Sequence, residues 1–316
     1  MYSTKESYAS RVKEEILHNK IESAPLKAQL SAIIKVIGSI IIKQNKKVLK
    51  TSTENVKLAR YIYSNLKSLY NVSPKSYVFQ TMKLFKKYNY NIEISENVNE
   101  ILNDLELNKD FMSFSPPSKS LLKNDECIRY YLSGVFLASG SVNSPENTNY
   151  HLEMAFNEEE HACFIMDLIR NHYNFDFKMI KRRNKYIVYL KKSDLIVEFL
   201  LIIGATNEMF HFEDFRSTRD IKNSHNRLNN MLIANEVKSL ETAKEQVEAI
   251  KLIDKIIGIE KLDDRLKDVA YLRLENDEAS LSELATLYEE RTGNKISKSG
   301  INHRLKSLEK FAKSLK

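Results

Sequence analysis

The sequence predicts a duplicated α+β domain, two antiparallel-sheet and helix halves, followed by an all-α bundle that ends in a helix-turn-helix. Three observations carry this. The same order of elements is legible twice, roughly a hundred residues apart. From residue 226 onward the apolar residues recur at helical spacing behind helix-capping signals, with no alternating strand pattern. Seven Gly and five Pro among 316 residues leave long regular elements and few loops.

The first copy begins after a lead helix over residues 1–20, whose apolar side holds Val12, Ile16 and Leu17. Ala28 to Gly38 (AQLSAIIKVIG) reads as a short apolar helix stopped by glycine, and Val48 to Thr53 as a strand. Glu54 to Tyr70 is a helix that buries Val56, Ala59, Ile62, Tyr63, Leu66 and Leu69. Ser76 to Leu84 is extended, Lys86-Lys87-Tyr88-Asn89 a basic turn, and a short strand then leads to a helix from Glu96 to Leu105.

The second copy repeats this. Ile128 to Gly140 (IRYYLSGVFLASG) is again an apolar helix ending in glycine, and Asn149 to Phe156 a strand with Leu152, Met154 and Phe156 on one face. Asn157 with Glu160 caps a helix to about Asn171. Phe175 to Ile180 is extended, Lys181 to Lys185 a basic turn, Tyr186 to Leu190 the return strand, and Ser193 to Ile203 a closing helix. The halves thus span about 21–110 and 124–205 of a domain covering 1–210, with Phe114-Ser115-Pro116-Pro117-Ser118 between them. A polar, basic stretch over 211–225 reads as a linker.

In the remainder, 226–316, Asn226 to Val237 is helical and Thr242 with Glu245 forms a capping box. The helix after it buries Val247, Ile250, Ile253 and Ile257 and stops at Gly258. A further helix follows from Leu262 to Leu274, so the bundle has about five helices. Ser280 and Glu283 make another capping box, and Thr292-Gly293-Asn294 ends the helix they start. Ser297 caps the last helix, whose stripe is Ile301, Leu305, Leu308 and Ala312. Its outer side carries Lys298, Ser299, Asn302, His303, Arg304 and Lys306. From Arg291 to Lys316 there are eight Lys or Arg and a single acid, Glu309. Donors of this kind on a basic outer face reach phosphates and base edges. The plainer alternative is a solvated surface helix.

Forty-two per cent hydrophobic residues excludes wholesale disorder, and the net charge of +7 favours an acidic partner such as nucleic acid. Cys127 and Cys163 have no CxxC spacing and no clustered His, so neither a disulfide framework nor a zinc site is expected. The N-terminus lacks an apolar core of signal-peptide type, and the runs Val36 to Ile42 and Phe199 to Ile203 are too short to span a bilayer. The expectation is a cytoplasmic, nucleoid-associated protein with no membrane contact.

Leu132-Ser133-Gly134-Val135-Phe136-Leu137-Ala138-Ser139-Gly140 resembles the LAGLIDADG motif of homing endonucleases. The resemblance implies two such helices packed at a pseudo-two-fold axis, for which Ser133, Gly134 and Ala138, with Ser31 and Ala32 in the first copy, are suitably small. It also places a metal-binding acid at the end of each motif. Those positions hold Ser139 and, by alignment on Gly38, Ile37, which cannot ligate a hard cation as a carboxylate does. No metal, cofactor or catalytic residue is therefore expected.

The degenerate duplicated unit with a helix-turn-helix behind it resembles the WhiA family of bacterial sporulation and cell-division regulators. Gly134 to Ser141, Tyr150-His151-Leu152-Glu153, Asn226-Arg227-Leu228-Asn229-Asn230 with Ala234-Asn235, and Ser297 to Leu305 carry the resemblance. It implies a DNA-binding transcription regulator without nuclease activity, and a C-terminal domain similar to the promoter-reading region of sigma factors. Double-stranded DNA is the expected partner, with another transcription regulator or RNA polymerase as candidate protein partners. Lys86, Lys87, Lys181, Arg182, Arg183 and Lys185 are candidate phosphate contacts, against the equal alternative of solubility. The competing classes are a protein-interaction scaffold and a metal-dependent endonuclease. The latter would need acids that the motif ends lack; Glu158-Glu159-Glu160-His161 reads instead as an acidic first helical turn.

Overall fold

The structure is a computed structural model and describes residues 6–81, 87–107 and 115–315. Residues 1–5 of the lead helix, Met82 to Leu84 of the extended segment, Lys86, Phe114 and Lys316 lie outside them. Lead helix α1 (Tyr8–His18) buries Val12 and Ile16. The first half follows as α2 (Ser23–Ile37), β1 (Gly38–Lys43), β2 (Lys46–Thr53), α3 (Val56–Tyr70), β3 (Lys75–Thr81), β4 (Lys87–Ile94) and α4 (Val98–Asp104). The second is α5 (Asp125–Ser139), β5 (Gly140–Val142), β6 (Leu152–Phe156), α6 (Glu159–Tyr173), β7 (Lys178–Arg182), β8 (Lys185–Leu190) and α7 (Ser193–Ile202).

Each half is one antiparallel four-stranded sheet, ordered β1-β2-β4-β3 and β5-β6-β8-β7. The registers correspond strand by strand. Gly38 pairs with Thr51 as Gly140 pairs with Met154, Leu49 with Ile94 as Leu152 with Leu190, and Lys75 with Glu93 as Lys178 with Tyr189. The duplication expected from element order is thus a duplication of topology and register.

Helices α2 and α5 join the halves. A Cβ added at Gly134 would meet the Gln29 carbonyl oxygen at 2.4 Å and Ala32 Cβ at 2.9 Å, so the two backbones touch where only glycine fits. The fully buried Gln29 is satisfied there: its Nε2 donates to Ser133 Oγ at 2.8 Å, and the Tyr61 hydroxyl of α3 donates to its Oε1. Ser31 Oγ donates to the Leu105 carbonyl at 2.7 Å. A buried polar set of this kind holds register as well as contact, because each broken bond strands a partner away from water. One continuous apolar core, including Leu30, Ile33, Ile34, Leu132 and Val135, surrounds it.

The halves meet again where α2 and α5 end. The Lys35 side chain is 7% exposed and lies 3.3 Å from the Glu158 carboxylate. With Gly38, Ser39, Phe156 and His161 these residues line a cleft of about 180 Å³. His161 is buried against the edge of the Phe156 ring at 5.0 Å, and burial, then the charge of Lys35, push its pKa down to about 3.

Several sequence expectations are corrected. Residues 87–89 are not a turn but the start of β4. The second basic turn is shorter than expected: β7 runs through Arg182 and β8 starts at Lys185, leaving Arg183, at φ 56°, and Asn184. Asn157 does not cap α6; the N-cap is Glu158, without a side-chain bond. Thr242 starts no helix. It lies inside α8 (Thr206–Ile256), and its hydroxyl donates to the Lys238 carbonyl at 2.9 Å. No Gly or Pro interrupts 206–256, so the helix continues through a local capping signal that competes only weakly with it. The polar stretch 211–225 is likewise helical, and the chain divides into compact units inside α8, between Arg219 and Asp220.

The C-terminal unit contains the end of α8, a short 3-10 turn (Ile259–Lys261), α9 (Asp264–Glu275), α10 (Leu281–Thr292) and α11 (Lys298–Ser314). Its core holds Ile250, Ile253, Val269, Leu284, Tyr288 and the stripe of α11.

Two predictions follow from the contacts between the halves. Gly134→Ala should destabilise the duplicated domain by about 1–3 kcal/mol, read as a lower urea midpoint of the full chain. His161 is neutral when folded but protonates when unfolded below its ordinary value of 6.5, so its stabilisation is whole above pH 6.5 and is lost as the pH falls towards 3. At pH 5 this loss is about 2 kcal/mol. Urea titrations of His161→Gln between pH 7 and 5 should lack that share of the acid sensitivity.

Candidate nucleic-acid interface

Helix α11 is held by its neighbours on one side and by caps at its start. Ser297 Oγ accepts from the Gly300 amide at 3.1 Å. The expected capping box of α10 is present: the Ser280 amide donates to Glu283 Oε2 at 2.7 Å, and the Glu283 amide to Ser280 Oγ at 3.2 Å. Gly293 closes α10 in the left-handed conformation at φ 68°, where a Cβ would be strained. Ile301, Leu305, Leu308 and Ala312 are all buried, as their spacing predicts.

This burial fixes the rotation of α11 and hence what it shows to solvent. Lys298, Ser299, His303 and Lys306 are exposed, and Asn302 is half-buried at the margin. Ser299 Oγ lies 3.0 Å from Ser297 Oγ, close to the helix start. Arg304 is placed differently. Its guanidinium sits 5.0 Å from the centroid of the Tyr288 ring, and Nη1 donates to the Arg265 carbonyl at 3.4 Å. It therefore ties α11 to α9 and α10, unlike its sequence neighbours.

Sequence reasoning missed Arg273, a charged residue 2% exposed. Its Nη1 donates to the Ala279 carbonyl at 2.6 Å and to the Asn276 carbonyl at 3.3 Å, clamping the connection that sets α10. Burial presses its guanidinium below the usual arginine range. Nothing in the local pattern marks it, except a basic residue among the apolar positions of α9. Arg291 adds an exposed ion pair to Glu275 at 2.9 Å.

In the duplicated domain, Lys181, Arg182, Arg183 and Lys185 are exposed around the β7–β8 turn, and Lys181 Nζ donates to the Tyr186 hydroxyl at 3.0 Å. Lys86 lies outside the described residues, and Lys87 is described only as the first residue of β4. At the motif ends, Ile37 and Ser139 close α2 and α5, and Ser139 Oγ donates back to the Val135 carbonyl at 3.3 Å. His151, just before β6, and Glu153 within it share a contact of 3.0 Å, with His151 stacked on Tyr189. Among the described residues, no three His, Cys, Asp or Glu side chains are grouped to hold a metal ion. No helix among them is long and apolar enough to cross a membrane.

Family models match in the order of the fold. The WhiA N-terminal LAGLIDADG-like domain matches residues 24–108, the WhiA LAGLIDADG-like domain 128–222, and the WhiA C-terminal HTH domain 225–312. The chain is 41% identical over 311 residues to the probable cell division protein WhiA of Bacillus subtilis, covering 98% of this chain and 97% of that one. It is 43% identical to the protein of the same description from Pediococcus pentosaceus, covering 98% and 99%. The crystal structure of full-length DUF199/WhiA from Thermatoga maritima shares the fold, with a TM-score of 0.58 at 24% identity over 98% of this chain and 99% of that one. Two LAGLIDADG-like halves, a C-terminal helix-turn-helix and relatives matched along nearly their whole length lead to one conclusion: the chain belongs to the WhiA family.

Proposed function

We propose that this protein is a DNA-binding transcription regulator linked to cell division, chromosome segregation or sporulation, that it works on the nucleoid in the cytoplasm, and that it does not cut DNA. The observation that carries this reading is α11. Its buried stripe leaves a polar, basic face in solvent, and capped, clamped neighbours fix its orientation. That is what a recognition helix requires in order to meet the major groove. The name of the relatives, probable cell division protein, supports the cellular setting. Another transcription regulator or RNA polymerase is the candidate protein partner.

The contacts divide by chemistry. Lys298 and Lys306 are flexible point charges suited to phosphates, as are Lys181, Arg182, Arg183 and Lys185 of the duplicated domain. Ser299, Asn302 and His303 carry directional donors in the N-terminal part of α11, where base edges are usually read. Arg304 acts mainly through its packing on Tyr288. The absence of cutting rests on Ile37 and Ser139, which offer no carboxylate where the scaffold's metal would bind.

Two tests apply. In binding isotherms, Asn302→Ala and His303→Ala should each cost about 1–3 kcal/mol on the preferred site and much less on random DNA. Lys298→Ala and Lys306→Ala should each weaken binding to any sequence and flatten the log–log salt slope by about 0.9. Retained discrimination in both Asn302→Ala and His303→Ala would transfer the reading to the duplicated domain. Separately, supercoiled plasmid incubated with the protein and magnesium or manganese should stay intact; site-specific nicking would contradict the second half of the proposal.

A further inference from the structure

Helix α8 contains a stretch that packing does not explain. Every residue from Asp220 to Lys238 is exposed, about five turns of helix. Acids stop and resume sharply along it. Residues 221–235 contain no Asp or Glu, while Glu213, Asp214 and Asp220 precede them and Glu236, Glu241 and Glu245 follow. The side chains are also sorted around the helix. At about 100° per residue, Lys222, Asn223, Asn226, Asn229 and Asn230 fall within about 120° of the circumference, with Arg227 at their border. Ile221, Leu228, Met231 and Leu232 occupy the opposite side. Followed along the helix, that apolar side becomes Ala243, Gln246, Ile250 and Ile253, all of them buried. The carboxamide side therefore points away from the core of the C-terminal unit, to which Ile250 and Ile253 belong. Asn229 Nδ2 lies 3.2 Å from His225 Nδ1, and among the described residues the other three carboxamides have no partner. Asparagine is one of the poorer helix formers, and an exposed position gains nothing from packing. Four of them on one open side weaken the helix that carries them.

We propose that this side of α8 is a second DNA-contacting surface, which enters a major groove over A·T pairs. Asn226, Asn229 and Asn230 bond adenine edges, and Lys222 and Arg227 meet the phosphates beside them. An asparagine carboxamide matches the N6 donor and N7 acceptor that adenine presents together in the major groove. Ile233 and Val237 continue the same side and suit thymine methyl groups. A helix about 10–12 Å across fits a groove about 12 Å wide, provided that it is exposed, as this stretch is. Basic helices that extend beyond their own core dock on DNA in this way. A second copy of the chain fits less well. The heptad positions Ile221, Ser224, Leu228, Met231, Asn235 and Lys238 would place three polar residues in the seam of a coiled coil. The proposal rests on the reading of the chain as DNA-binding, and it adds to the contacts of α11 without replacing them.

The test measures binding of the full chain to two fluorescein-labelled duplexes, one of alternating dA and dT and one of alternating dG and dC. The unchanged chain should bind the dA-dT duplex about tenfold more tightly. Replacing adenine by 7-deazaadenine deletes N7 from the major groove and leaves the phosphates and the minor groove as they were; it should remove the preference. The triple variant Asn226→Ala, Asn229→Ala, Asn230→Ala should remove it too. Alanine is the better helix former, so circular dichroism should show equal or greater helix content, and unfolding is not the cause of the loss. In the double variant Asn302→Ala, His303→Ala the response to 7-deazaadenine should persist. Binding of neither duplex would contradict the DNA-binding reading as a whole. Three outcomes would overturn this proposal alone: 7-deazaadenine without effect, a triple variant that binds both duplexes as the unchanged chain does, and a response to 7-deazaadenine that vanishes with Asn302 and His303. Self-association abolished by Leu228→Lys, together with an unaffected triple variant, would give the helix to a second copy instead.

Discussion

The contact of α2 with α5 is the constraint on which the duplicated domain depends. Two helices approach until one backbone meets the other, and Gly134 is where this happens. Because the contact is so close, the residues around it must be small or fully satisfied, and Ser31, Ala32, Ser133 and Gln29 meet that requirement. Both glycines that end these helices, Gly38 and Gly140, then turn the chain directly into a first strand. Each sheet is therefore placed by the helix pair, and the equivalence of the two registers follows from it.

Sharing a scaffold has not kept the two copies alike. The motif ends carry Ile37 and Ser139, one apolar and one a short hydroxyl that is turned back onto its own helix. Lys35, Glu158 and His161 fill the space nearby with an ion pair and a neutral, buried imidazole. At the free edges of the sheets, β3 exposes Val78 and Phe79, whereas β7 sets Lys181 and Arg182. Geometry has been retained where packing demands it, and chemistry has diverged where solvent or a partner meets the fold.

Much of this was legible in the sequence, because long periodic patterns express burial directly. The stripe Ile301, Leu305, Leu308 and Ala312 and the stop at Gly293 appear in the fold as read, whereas of the side expected for α3 only Ala59, Ile62 and Leu66 are buried, Val56, Tyr63 and Leu69 are half-buried, and the buried Leu58 was not read. Strand β1 was not legible as an element, because GSIIIK follows an apolar helix without a break and merges into one hydrophobic run. Strand β5 has three residues and no pattern to show. Thr242 misled because a capping signal is local, whereas α8 is sustained over 51 residues without a helix breaker. At the site, exposure of Lys298, Ser299, His303 and Lys306 followed from the stripe opposite them. The commitment of Arg304 to Tyr288 did not, since it depends on how α10 meets α11, and spacing within one helix says nothing about that. Arg273 was invisible for the same reason: its partners are carbonyls of the following connection.

The central claim of the proposal is that DNA is read by the N-terminal part of α11, with Lys181, Arg182, Arg183 and Lys185 of the duplicated domain adding phosphate contacts only. Ultraviolet crosslinking of the full chain to its chromosomal DNA, followed by mass-spectrometric identification of the crosslinked peptides, tests this most directly. The account predicts crosslinks concentrated in the peptide spanning 298–306. Crosslinks concentrated instead on the strands β2, β4, β6 and β8, with α11 unmarked, would contradict it.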